Sequence, residues 1–185
     1  GLSLTTNMVT INSTVDTLAA GNDGTVIIVN AGQLTLANAA SFTLDGAFMQ
    51  SGGGAVSTGA DITTTGDHVT FTDDVTLTDD VTIDTGIGAG NITFSDTVDA
   101  SAVRGEGLTL IAGIGNILFD DAVGTTELEQ LTITSAADVI ANQSVAAGTI
   151  TQTNGSGTTT FNASVTTTQM GGIDLTGTNF TFGDL

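Results

Sequence analysis

The sequence of 185 residues carries 20 Asp and Glu against a single Lys or Arg, and its formal net charge is −19. This balance excludes a nucleic-acid binder, which needs clustered Lys and Arg to contact phosphates. Only 11% of the residues are charged and 39% are hydrophobic, which excludes a disordered acidic segment. The 37 Thr favour strands and the 25 Gly favour tight turns, so the composition favours an all-β fold of short strands.

The first 60 residues contain short apolar segments that are typical of strands. Val26–Val29 is β-branched and aliphatic, and Leu34–Leu36 and Phe42–Leu44 share a Thr between two apolar residues. No domain boundary separates these segments from the rest of the chain. We therefore expect one domain over residues 1–185, with irregular coils in residues 1–60 and clearer repeats in residues 61–185.

A repeat begins with the segment His68–Val75. Five later segments match it, and their starts are 23, 25, 22, 20 and 21 residues apart. Shorter matches lie between them, so each repeat contains at least two strands. No window of the chain reaches the length of a membrane-spanning helix, so we expect no membrane span. The matching segments are Asn91–Val98, Asn116–Val123, Asp138–Val145, Thr158–Val165 and Asn179–Leu185.

Alignment of the repeats places apolar residues in columns. One column is aromatic except at Ala141, and a second column of Val lies four residues later. A repeat of 20 to 25 residues cannot bury its inner face alone, whereas stacked repeats can. The sequence therefore predicts a parallel β-solenoid, or β-helix, although Thr125–Gln130 could form one helical turn. The predicted core columns are Phe71, Phe94, Phe119, Phe161 and Phe182, and Val75, Val98, Val123, Val145 and Val165.

Acidic residues gather at one turn of the repeat. Asp73, Asp96 and Asp121 share a column, to which Asp184 returns at the end of the chain. Like charges about 4.8 Å apart repel each other, so such a row needs water or a cation. Oxygen ligands favour Ca²⁺, although the chain has no EF-hand loop. The candidate Ca²⁺ ligands are Asp73, Asp74, Asp96, Asp120 and Asp121, and the alternative is a solvated acidic turn.

Catalysis has little support in the residue types. His68 is the sole histidine, it lies in the same turn column as Asn91, Asn116 and Asn179, and no nucleophile motif accompanies it. We interpret this column as a structural turn. A polysaccharide-active enzyme would need cations or aromatic platforms, and an acidic substrate would be repelled by the charge of −19. We therefore expect no enzyme and no catalytic residue.

Threonine is frequent, and ranks of Thr on a flat solenoid face could order water or bind a crystalline polysaccharide. The outward column next to the Phe column is interrupted in its middle, which argues against a continuous array there. Strand propensity and a polar outer face explain the Thr content as well. An ice- or polysaccharide-binding module stays the alternative function. This outward column contains Thr70, Thr93, Leu118, Ile140, Thr160 and Thr181.

The repeats Gly90–Val98 and Gly113–Gly124, followed by Leu131–Ile133, resemble the tandem repeats of large bacterial surface proteins of the filamentous-haemagglutinin or autotransporter-adhesin type. The resemblance covers residues 66–185 and carries over no binding residue. It implies a right-handed β-helical stalk at the cell surface or in the extracellular matrix. It also implies a structural or adhesive role, with a surface glycan as one candidate partner.

Both termini lack the polar residues that cap a solenoid. An uncapped end leaves strand edges open to pairing. We therefore expect either self-association into a filament or covering by flanking segments of a longer chain. The segments concerned are Gly1–Leu4 and Phe180–Leu185.

Overall fold

The computed structural model of the protein describes residues 1–18 and 24–183, and every regular element in them is a β-strand. The strands pair in parallel with the equivalent strands one coil before and one coil after. The chain thus winds as a β-solenoid of about eight turns, which confirms the predicted fold class. Asp184 and the residue after it lie outside the described residues.

Each full coil passes through three faces, A, B and C, and the strands are short because a turn follows every three to five residues in most coils. The strands in chain order are β1 (Leu2–Thr6), β2 (Val9–Ile11), β3 (Val15–Asp16), β4 (Val26–Asn30), β5 (Leu34–Leu36), β6 (Ser41–Leu44), β7 (Phe48–Ser51), β8 (Val56–Thr58), β9 (Asp61–Thr64), β10 (Val69–Phe71), β11 (Val75–Leu77), β12 (Val81–Asp84), β13 (Ile92–Phe94), β14 (Val98–Ala100), β15 (Leu108–Ile111), β16 (Ile117–Phe119), β17 (Val123–Ser135), β18 (Val139–Ala141), β19 (Val145–Gln152), β20 (Thr158–Phe161), β21 (Val165–Thr167), β22 (Ile173–Leu175) and β23 (Asn179–Phe182).

Face A is a nine-stranded sheet in the order β1-β4-β7-β10-β13-β16-β18-β20-β23. Face B contains β2, β5, β8, β11, β14, β21 and the first parts of β17 and β19, and face C contains β3, β6, β9, β12, β15, β22 and the last parts of β17 and β19. The two faces form one larger sheet, because β17 and β19 run from one face to the other without a break. Gly124 has a positive φ of 76°, a conformation that glycine adopts without strain, near the start of β17. Residues 125–130 are part of this 13-residue strand, so the expected helical turn is wrong.

The predicted Phe column lies inside the solenoid. Phe71 pairs in register with Phe94, and Phe94 pairs with Phe119. Their rings stack with centroids 5.5 Å apart and interplanar angles of 4° and 5°. Each ring is 1% exposed, and burial of each contributes about 1.5–3 kcal/mol to the free energy of unfolding. The neighbouring Val column is also buried at Val75, Val98, Val123 and Val145.

The column ends differently at the C-terminal coil. Phe161 is 2% exposed, but Phe182 is 37% exposed because β23 pairs only with β20 among the described residues. The two rings still stack, with centroids 5.5 Å apart. Val165 is half-buried at the matching position of face B. The expectation of a buried side chain is therefore not met at Phe182.

The coils of residues 1–60 belong to the same sheets as the later coils. Ile28 pairs with Gln50, and Gln50 pairs with Phe71, so the Phe column continues through positions that are not aromatic. Six residue steps separate Gln50 from Val56, against four from Phe71 to Val75. The longer turn explains why this coil escapes the sequence repeat.

One loop departs from the compact turns of the solenoid. Residues 101–107 join β14 to β15, and the backbone of Arg104 has a positive φ of 56°. The Arg104 N–H donates to the Glu127 carbonyl at 2.6 Å, and its Nε lies 3.9 Å from Glu127 Oε2. Val103 is 64% exposed. The loop thus projects from the rod and carries the sole Lys or Arg side chain of the sequence.

Candidate functional site

The predicted acidic row lies at the corner between faces A and B. The pairing of Phe71 with Phe94 and of Val75 with Val98 places Asp73 beside Asp96. Continuation of the same pairing places Asp96 beside Asp121. The sequence alignment of these three residues is therefore also their order along the solenoid axis.

Asp73 is held by the coil before it. The side-chain amide of Gln50 donates to Asp73 Oδ2 at 2.8 Å, and the N–H of Gly53 donates to the same oxygen at 3.0 Å. Gln50 is 1% exposed, and its amide also donates to Asn30 Oδ1 at 2.8 Å. The carboxylate of Asp73 thus completes a buried polar chain. Sequence analysis did not assign Asn30 or Gln50 to any site, since neither repeats in later coils.

The local environment of Asp96 changes the pKa of its carboxyl group. The N–H of Thr97 donates to Asp96 Oδ1 at 2.9 Å, which lowers the pKa of this carboxyl. Burial and the nearby Asp74 and Asp121 act in the opposite direction and prevail, so the pKa is raised above its ordinary value. Crowding of carboxylates at this corner therefore favours the protonated form of Asp96.

The other three candidate ligands each accept a hydrogen bond from a nearby group. Asp74 Oδ1 accepts from the Thr97 hydroxyl at 2.9 Å, and Asp121 Oδ1 accepts from the Ala122 N–H at 2.7 Å. Asp120 Oδ1 accepts from the Asn142 amide at 2.8 Å. These contacts join successive coils or close the turn. In residues 1–18 and 24–183, no group of three or more acidic or histidine side chains has the arrangement of a metal site. Calcium binding stays a prediction.

A second corner, between faces C and A, contains the predicted Asn column. The side chain at each position accepts a hydrogen bond from the backbone N–H one coil later. His68 Nδ1 accepts from Asn91 at 2.9 Å, and Asn91 Oδ1 accepts from Asn116 at 2.8 Å. Asn116 Oδ1 accepts from Asp138 at 3.0 Å, and Asp138 Oδ1 accepts from Thr158 at 2.7 Å. This corner ladder of His68, Asn91, Asn116 and Asp138 has the structural role expected for the column, and it includes Asp138.

A shallow depression lies between the corner ladder and the outer side of face A. Its volume is about 210 Å³. Its polar lining includes Asn91, Asn116 and Asp138 of the corner ladder, and its apolar lining includes Leu118 and Ile140. Such a surface suits a neutral hydroxylated molecule better than an anion, because the chain is strongly acidic. The lining residues are Asn91, Thr93, Asn116, Ile117, Leu118, Asp138 and Ile140.

Face C carries a continuous threonine column that sequence analysis did not assign. Thr82 pairs with Thr109, Thr109 with Thr132, and Thr132 with Thr151. Asp174 follows in the next coil. Strand pairing sets neighbouring members about 4.8 Å apart. A sequence signal for this column is a Thr between two apolar residues. It recurs in the three-residue segments Val81–Ile83, Leu108–Leu110 and Leu131–Ile133.

The fold and these corners define a β-solenoid whose polar side chains chiefly connect its coils. No protein-family model, no curated protein and no solved structure matches the chain. Among the described residues, no helix could span a membrane.

Proposed function

We propose that the chain is a non-catalytic structural segment of an extracellular or cell-surface protein, acting as a stiff stalk or as a unit of a filament. The observation that carries this proposal is the continuous core. One cluster of buried apolar side chains extends from Val26 to Phe161 without interruption. A rod with such a core resists bending, because displacement of one coil disturbs the packing of its neighbours.

The polar groups support the same role. Among the described residues, no buried side-chain nitrogen or oxygen lacks a hydrogen-bond partner. Several of the carboxylates and amides at the two corners bond to a neighbouring coil, and others close the turn within their own coil, so these groups add to the cohesion of the rod. The likeness of the repeats to surface adhesins supports the extracellular location and an adhesive role.

Immunogold labelling of intact producing cells tests the proposal. Antibodies against the folded chain should label the outer surface or the surrounding matrix without permeabilisation. Labelling that requires permeabilisation would overturn the extracellular role. Labelling of a cytoplasmic enzyme is the control for cell integrity, because antibodies should reach it only in permeabilised cells.

A second candidate function rests on the threonine column of face C. Four registered hydroxyl and methyl groups could match a repeating hydroxylated surface such as ice or crystalline polysaccharide. The double variant Thr109→Tyr/Thr132→Tyr should abolish thermal hysteresis or co-sedimentation with insoluble glucan. Thr93→Tyr/Thr160→Tyr on face A is the matched control. Absence of both activities in the wild-type chain would exclude this function.

Calcium at the acidic corner is proposed separately. Binding would relieve repulsion between Asp96 and its neighbours, so Ca²⁺ should raise the Tm of the chain more than Mg²⁺ does at equal ionic strength. The variant Asp96→Asn/Asp121→Asn should lose the difference. Equal effects of the two cations on the wild-type chain would exclude specific binding.

A further inference from the structure

The depression beside the corner ladder contains hydrogen-bonding groups that the fold leaves unused. Asn91 Oδ1 and Asn116 Oδ1 accept from the next coil, and among the described residues the amide nitrogens of both side chains have no acceptor. Asp138 Oδ1 accepts from the Thr158 N–H, and its Oδ2 has no donor within the same part of the chain. The depression therefore offers two amide donors, followed along the axis by a carboxylate acceptor.

The apolar part of the depression interrupts a column of threonines on the outer side of face A. Leu118 pairs with Thr93 on one side and with Ile140 on the other, and Thr160 then restores the column. Leu118 is half-buried and Ile140 is 38% exposed, so both present carbon surface to solvent. The strand does not need these apolar side chains, since Thr occupies the equivalent positions in neighbouring coils. Apolar surface beside unused polar groups is typical of a ligand site.

The spacing of the polar groups matches a secondary amide. Asn91 and Asp138 belong to coils two steps apart, so their positions in the column are separated by about 9.6 Å. A trans amide has its C=O and its N–H directed oppositely. Two hydrogen bonds of about 2.9 Å, one at each end, leave room for such a group between the two side chains. Its carbonyl oxygen would accept from Asn91 Nδ2, and its N–H would donate to Asp138 Oδ2.

We propose that this depression binds a neutral N-acetylhexosamine unit of a glycan, with the acetamido group along the coil axis. The amide spans from Asn91 to Asp138. Its methyl group contacts Leu118 and Ile140, and a ring hydroxyl accepts from Asn116 Nδ2. This inference rests on the adhesive role in the proposed function and specifies its ligand and contact. The depression of about 210 Å³ is smaller than the roughly 300–1,000 Å³ of larger ligand sites, so it takes one sugar unit.

A peptide and an acidic sugar fit this depression less well. A peptide that adds a strand needs an open sheet edge, whereas β13, β16 and β18 around the depression each have a strand partner on both sides. An acidic sugar would bring a carboxylate close to Asp138, on a chain of net charge −19. A glucose unit has hydroxyl groups but lacks the amide and the methyl group. The acetamido group therefore decides recognition.

Two single variants exchange the polar atom offered to the ligand and keep the corner ladder. Asn91→Asp removes the donor and Asp138→Asn removes the acceptor, while Oδ1 remains in each to accept from the next coil. The two variants change the net charge in opposite directions. The probes are the methyl glycosides of N-acetylglucosamine and N-acetylgalactosamine, with methyl glucoside as the comparison. NMR titration follows the side-chain amide of Asn116 and the methyl groups of Leu118 and Ile140.

At least one acetamido glycoside should shift these signals of the wild-type chain with millimolar affinity, and methyl glucoside should bind about tenfold more weakly or less. Each variant should raise the Kd of that glycoside by about tenfold. Asn7→Asp and Asp174→Asn are the charge-matched controls and should bind like the wild type, because both residues are exposed and lie outside the depression. Hydrogen exchange at the Asn116 and Thr158 N–H groups establishes that the ladder is intact.

An absence of shifts with both acetamido glycosides at about 50 mM would overturn the proposal, as would equal affinity for methyl glucoside. An unchanged Kd in either variant would also overturn it. Opposite effects of Asn91→Asp and Asp138→Asn would indicate a response to charge and would reject the assigned hydrogen bonds. Surface labelling of cells without glycoside binding would reject the site and leave the stalk function standing. Glycoside binding together with internal labelling would reject only the extracellular location.

Discussion

Residues 26–64 and residues 69–119 wind through the same three faces but fill one inner column with different chemistry. The later coils stack Phe71, Phe94 and Phe119 with nearly parallel rings. The earlier coils have Ile28 and Gln50 at the same positions. The polar side chains of the earlier region form hydrogen bonds with one another or with the backbone. Stacked rings and hydrogen-bonded polar side chains can therefore both fill the interior of the solenoid.

The difference shows what a coil position requires. An inner position must be filled and its polar atoms must be satisfied, but it need not be aromatic. Gln50 meets this requirement because its amide donates to Asn30 and Asp73 while its carbonyl oxygen accepts from the Thr72 N–H at 3.2 Å. We expect the aromatic region to depend on packing and the earlier region on hydrogen bonding.

The largest effect is expected for Phe94→Ala. Removal of a ring stacked on both sides leaves a cavity, and the free energy of unfolding should fall by about 3–5 kcal/mol. Phe182→Ala at the exposed end should cost less than half as much. Urea denaturation followed by circular dichroism measures both. Equal losses would contradict the stacked-core interpretation.

A smaller loss is expected for Gln50→Leu. The substitution leaves Asn30 Oδ1 and the N–H of Thr72 without their partner, which should cost about 1–3 kcal/mol of unfolding free energy. The exposed Gln143→Leu is the control, with an expected change within about 0.5 kcal/mol. A stabilised Gln50→Leu chain would mean that the polar chain contributes nothing beyond volume.

A hydrogen bond of the corner ladder should contribute less to the free energy of unfolding than the bonds of Gln50 do. Asn116→Ala removes the acceptor for the Asp138 N–H, and we expect a loss of about 1 kcal/mol in unfolding free energy. Asn179→Ala, in the same column but in the last strand described, provides the comparison and should have almost no effect. Hydrogen exchange at Asp138 should accelerate only in the Asn116→Ala chain.

The smallest effect is expected at the acidic corner. Because the pKa of Asp96 is higher in the folded chain than its ordinary value, the folded state binds more protons and stability falls as pH rises through this range. Asp96→Asn should therefore stabilise the chain at neutral pH, by less than about 0.5 kcal/mol after solvent screening.

That gain should disappear as the pH falls through the raised pKa of Asp96 to below 3.8, where the wild-type carboxyl is itself protonated. Added NaCl should also reduce it, because salt screens exposed charges. Thermal melts from pH 3 to pH 8 measure the trend. A gain that grows on acidification would contradict the assigned direction.

The sequence predicts the parts of the fold in which the same residue types recur in successive coils. The Phe and Val columns identified the solenoid because identical side chains recur at the coil period. The coil that contains Gln50 was assigned only as irregular, since its turn before Val56 is longer and its inner residue is unique.

The site was predictable to a lesser degree. The order of Asp73, Asp96 and Asp121 followed from the alignment, but the bond from Gln50 to Asp73 joins residues without any shared pattern. The threonine column of face C was missed for a different reason. Its members lie in the shorter matches between the main repeats. That Thr82 and Thr109 belong to one outward column becomes apparent only when these matches form a third face.

The projecting loop around Arg104 makes the chain divisible. Trypsin cleaves after Lys and Arg, so the full sequence offers it one site, after Arg104. The coils on either side of that site remain joined by the pairing of Ile92–Phe94 with Ile117–Phe119. A nicked rod should therefore hold together in buffer and separate into two halves in denaturant. Reassociation of the two separated fragments would then measure how strongly one coil binds the next.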